Sequence, residues 1–61
     1  MSKFVVTCID PATGARVYGD VPTSKSHASR WAKKNAEIYG GTWGVAPVEE
    51  AIAAGRIIEE G

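Results

Sequence analysis

One stretch restricts the fold more than any other: Ser24 to Tyr39, S-K-S-H-A-S-R-W-A-K-K-N-A-E-I-Y, closed by Gly40-Gly41. Ala28, Trp31, Ala32, Asn35, Ala36 and Tyr39 recur at the spacing that brings them to one face of a helix. Thr23 or Ser24 offers a side-chain oxygen to the free N–H groups of the first turn. The glycine pair supplies a left-handed stop. The spacing predicts a helix over about 24–39. Its three alanines let the axis lie close to a sheet, and Trp31 is expected to supply most of the contact area.

The flanking segments read as strands. K-F-V-V-T-C-I-D (about 3–10) is β-branched and aromatic, and too short for a helix. Apolar residues fill both alternating sets, Phe4/Val6/Cys8 and Val5/Ile9, which marks a central strand covered on both sides. Asp10-Pro11-Ala12-Thr13-Gly14 reads as a hairpin turn, with Gly14 at a position needing positive φ. The return strand spans about 15–20. Gly19 in it hints at a bulge or an edge, and Pro22 ends it. T-W-G-V-A-P (about 42–47) is a third strand, with Pro47 at a sheet edge. Glu49-Glu50-Ala51-Ile52-Ala53-Ala54 favours a helix with acids in its first turn. It is expected over about 48–58. Gly55 either stops or only interrupts it, and Arg56-Ile57-Ile58-Glu59 is a last helical turn or a short strand.

The expectation is one α+β domain over residues 1–61: a ββαβ mini-domain with a three-stranded antiparallel sheet, one helix packed on a face, and a C-terminal helix or tail. Strand one lies in the middle. Phe4, Val6, Val17, Trp43 and Val45 face the helix. Val5, Ile9, Tyr18 and Ala46 lie on the other side, which needs a cover: the C-terminal segment through Ile52, Ile57 and Ile58, or a second protein. A chain of 61 residues buries only about 60% of its unfolded surface and is marginal alone.

Composition excludes several classes. With 44% apolar and 23% charged residues the chain is of ordinary globular type. Its longest apolar runs, such as Phe4-Val5-Val6 and Ala51 to Ala54, are too short to span a membrane. A single Cys8 forms no internal disulfide, and with one histidine there is no zinc set. On an apolar strand face Cys8 is expected to be an inert, buried thiol. Met1-Ser2-Lys3 runs straight into the first strand without a signal-type apolar core, so a cytoplasmic location is expected. No metal, no cofactor and no small-molecule substrate are expected. His27 has no carboxylate nearby in sequence and reads as an exposed helix residue. Asp10 and Asp20 are close enough to meet across the hairpin, but turn chemistry explains Asp10 better. Without a nucleophile–base set or room for a pocket, an enzyme is not expected.

Zero net charge conceals a polar molecule. Residues 1–34 carry six bases against two acids, and residues 35–61 one base against five acids. The expected function is a small non-catalytic protein-interaction module, a regulator or inhibitor that docks on a larger protein or self-associates, a homodimer being one form of the latter. Its interface candidates are Val5, Ile9, Tyr18, Ile52, Ile57 and Ile58. The alternative is nucleic-acid binding by a basic helix face, with Lys25, Arg30, Lys33 and Lys34 on phosphates and Ser26 and Ser29 beside them. Trp31 and Trp43 read as core anchors, one of which could instead be a half-exposed hot spot.

Overall fold

The structure, a computed structural model, describes residues 3–55. Its elements are β1 (Phe4–Ile9), β2 (Arg16–Tyr18), α1 (Lys25–Tyr39), β3 (Trp43–Pro47) and α2 (Val48–Ala53). The sheet has the order β2-β1-β3, antiparallel throughout, so the strand that is apolar on both faces is the central one.

The hairpin turn is fixed by its own polar groups. Asp10 Oδ1 accepts from the Ala12 N–H at 2.9 Å, Thr13 Oγ1 accepts from the Ala15 N–H at 3.2 Å, and Gly14 takes φ 74°. β2 is shorter than expected. The Gly19 N–H still donates to the Val6 carbonyl at 2.7 Å, and pairing resumes with Phe4 opposite Thr23. Between those two pairs β1 advances two residues and the other chain four, so Asp20, Val21 and Pro22 form a bulge. A Cβ on Gly19 would lie 3.1 Å from the Val6 carbonyl oxygen, so a side chain here requires the paired backbone to shift by a few tenths of an ångström.

Helix α1 begins at Ser24, whose Oγ accepts from the His27 N–H at 3.2 Å. It ends at Gly40, whose φ of 72° suits a residue without a Cβ, while its N–H caps the Ala36 carbonyl at 2.9 Å. Helix α2 ends at Ala53, ahead of Gly55 at φ 87°, so the helix expected from about 48 is broken before the glycine. Residues 56–58 of that expectation lie outside the described residues.

Directly paired residues share a sheet face. Val5, Thr7, Ile9, Arg16, Tyr18, Gly44 and Ala46 therefore form one face, and Phe4, Val6, Cys8, Val17, Trp43 and Val45 the other. Helix α1 packs on the second face, against β1 and β3. Helix α2 lies on the first and is tied to β2 there: Glu50 Oε2 accepts from the Tyr18 hydroxyl at 2.9 Å and meets Arg16 Nη1 at 3.3 Å.

The core consists of small residues. Val5, Ala28, Ala32, Ala46 and Ala51 are buried together with Thr7, and among the described residues Val5 is the largest side chain fully enclosed. Of the two readings of Trp31, core anchor or half-exposed hot spot, its 36% exposure fits the second, and Tyr39 is 73% exposed. Ala28, Ala32 and Ala36, one helical turn apart, make the seat instead. Their lack of bulk draws the axis down onto the sheet and leaves the neighbouring Trp31-Asn35-Tyr39 row on the flank of the contact.

Candidate functional site

Helix α1 sits over β1 and β3, and its contacts leave the β2 side of that face open. Two hollows run end to end along the gap. The first, of about 310 Å³, is lined by Val6, Gly19, Asp20, Val21, Trp31 and Asn35. The second, of about 610 Å³, has Cys8, Val17, Tyr39 and Trp43 among its walls and Asp10 at its far end. Val6 and Cys8 are successive residues on one face of β1, and Trp31, Asn35 and Tyr39 lie on successive turns of α1. The hollows therefore form one trough between helix and edge strand.

Its walls are apolar and open to solvent. Val17 is 40% and Val21 56% exposed, while the sealed interior of the described residues is mostly alanine. Local contacts hold the large side chains in place. The His27 and Trp31 rings meet at a tilt of 55° with centroids 4.3 Å apart, and the Tyr39 ring centroid lies 6.2 Å from that of Trp43. Trp43 Nε1 donates to the Gly40 carbonyl at 2.7 Å, joining the helix end to β3. Cys8 is half-buried at the trough floor rather than sealed in the core.

The interface residues expected from the sequence do not gather into one open patch. Val5 is fully enclosed and is corrected: nothing outside the chain reaches it while α2 is seated. Ile9 is half-buried. Tyr18 is held by Glu50, and this hydrogen bond, ahead of desolvation and the carboxylate's charge, raises its pKa above 10.0. Ile52 is 52% exposed on α2, and Ile57 and Ile58 lie outside the described residues. Asp10 and Asp20 do not meet: Asp10 pairs with Ala15 at the turn, while Asp20 follows the Gly19–Val6 pair four β1 residues away.

Of the basic residues, Lys25, Arg30, Lys33 and Lys34 are all exposed and have no carboxylate within 4.0 Å among the described residues. They are spread over roughly 180° of the helix circumference at 100° per residue, so they make a broad belt rather than a stripe. Lys25 Nζ stands 5.8 Å from the Phe4 ring centroid.

Sequence reasoning missed Val17, Val21 and the Trp31–Tyr39 flank as a surface. The available signal was the Ala28/Ala32/Ala36 row, which fixes where the helix must touch. Among the described residues, no three His, Cys, Asp or Glu side chains gather as a metal site, and no helix is long and apolar enough to cross a membrane.

The chain matches no protein-family model, no curated protein and no solved structure.

Proposed function

We propose that this protein is a small non-catalytic interaction module, a cytoplasmic regulator or inhibitor that works by docking on a larger protein or on a copy of itself. One observation carries the reading. Large apolar side chains line an open trough, while among the described residues the sealed core holds nothing larger than valine. A single domain gains most by burying its largest apolar groups, at about 25 cal/mol per Å². Leaving Val17, Val21, Trp31 and Tyr39 partly in water leaves that gain to a complex. The docking surface is accordingly placed on the α1 side of the sheet, opposite the face that the sequence pattern pointed to.

The test compares the full chain with Val17→Lys in sedimentation and in capture from a lysate. Val17 is 40% exposed on an edge strand, so the lysine is tolerated by the fold. A self-associating species or a captured band that disappears in the variant supports the reading. Association unchanged by the lysine contradicts it.

A second reading rests on the four exposed bases of α1 without acidic partners: nucleic-acid binding through Lys25, Arg30, Lys33 and Lys34. Binding of labelled DNA or RNA that collapses between about 50 and 200 mM salt, and is lost in Arg30→Glu with Lys34→Glu, would favour it. Salt-insensitive binding, or none, would remove it.

A further inference from the structure

We infer that the trough takes a basic amphipathic helix from another protein. This rests on the docking reading above and names the chemistry of its partner. The charged residues that line the two hollows are acidic: Asp10 at one end and Asp20 at the other. Asp20 is exposed and has no hydrogen-bond or ion-pair partner among the described residues. Asp10 spends one oxygen, Oδ1, on the Ala12 N–H. The bases of α1 do not line the hollows. An apolar floor with an acid at each end repels phosphate and carboxylate, and favours apolar side chains bracketed by Lys or Arg.

The dimensions select a helix. Asp10 and the Gly19–Val6 pair are separated by four residues of β1, about 13 Å at the usual strand rise. A helix of about nine residues covers that length. Strands lie about 4.8 Å apart, so the line between β1 and β3 that α1 covers stands about 7 Å from β2. A second helix at the usual spacing of about 8–10 Å from α1 therefore lies over β2. A second copy of α1 does not fit this place face to face, because its outward side carries Arg30, Lys34 and Glu37. An added strand is a poor alternative. Beyond three-residue β2 the edge turns away at the Asp20–Pro22 bulge.

Three fluorescein-labelled 12-residue peptides test this by anisotropy with the full chain. One carries Leu on one face and Lys at both ends, the second has Glu for Lys, and the third has Pro at the centre of the first. The Leu/Lys peptide is expected to bind, with roughly three- to thirtyfold weaker binding of the Leu/Glu peptide as two exposed attractions become repulsions. The Pro peptide should lose at least tenfold. Asp20→Asn should weaken Leu/Lys binding and leave Leu/Glu binding unchanged or tighter. Val17→Lys and, independently, Tyr39→Ser should each weaken it, Tyr39 being an exposed residue whose loss spares the fold. Equal binding of the Lys and Glu peptides overturns the basic partner while leaving apolar docking intact. Equal binding of the Pro peptide overturns the helix. If none binds at about 200 µM the inference fails, and the docking reading is then judged by the Val17→Lys comparison above, which uses no peptide.

Discussion

Replacing Ala32 with leucine attacks the seat of the fold. Ala32 is 5% exposed, in the middle of the alanine row on which α1 rests. Leucine is at least as good a helix former as most residues, so propensity changes little and the effect is steric. Three added carbons must either push the helix off β1 and β3 or force strained rotamers, at a cost of about 1–3 kcal/mol. A chain of this length has a stability of roughly 3–9 kcal/mol, so from about a tenth to all of it is at stake. Each kcal/mol shifts Tm by about 4–8 °C in a domain of this size. Thermal denaturation followed by circular dichroism should show Tm falling by at least about 4 °C. Arg30→Leu places the same side chain on the exposed outer surface and should stay within about 0.5 kcal/mol of the parent. An unchanged or higher Tm for Ala32→Leu would refute the close seat, and with it the reason that Trp31 and Tyr39 stand on the flank.

Further outcomes follow from particular contacts. Ser24→Ala removes the side-chain acceptor for the His27 N–H and should cost about 1 kcal/mol in denaturant unfolding, whereas Thr23→Ala leaves that cap in place. The Tyr18 hydroxyl should ionise above 10.0 in an ultraviolet titration and return toward it in Glu50→Gln. Because its folded pKa is raised, the stabilisation from this bond is fully present below the ordinary tyrosine pKa and is lost as pH climbs through the folded value. Stability measured against pH should therefore fall on the alkaline side, and less so in Glu50→Gln. Gly19→Ala brings a methyl group within 3.1 Å of the Val6 carbonyl oxygen and should lower Tm and loosen the Gly19 amide in hydrogen exchange.

The topology was legible because single residues left few choices. An apolar run filling both alternating sets from Phe4 to Ile9 belongs in the middle of a sheet, and Asp10 to Gly14 carries its own turn chemistry. The helix limits agree with the sequence reading because Ser24 and Gly40 supply local caps that need no tertiary help. Less legible was the rotation of α1. Ala28, Trp31, Ala32, Asn35, Ala36 and Tyr39 cover too wide an arc for all to touch a sheet, and periodicity does not say which part touches. Contact distance decides it: alanines permit a closer approach than tryptophan, so they take the seat. The same geometry moved the open surface to the α1 side, while six-residue α2, through Ala51 and Glu50, covers Val5 and holds Tyr18. The bulge at Asp20–Pro22 was visible only as the glycine at 19, since its size depends on where pairing resumes at Thr23.

The most direct measurement is an amide and indole shift map of the protein titrated with the Leu/Lys peptide. The account predicts that Val6, Cys8, Val17, Val21, Asn35 and the Trp31 indole move together, with Ser26, Arg30 and Glu50 left in place. Shifts confined to the outer side of α1 or to the α2 face, with the trough unmoved, would contradict it.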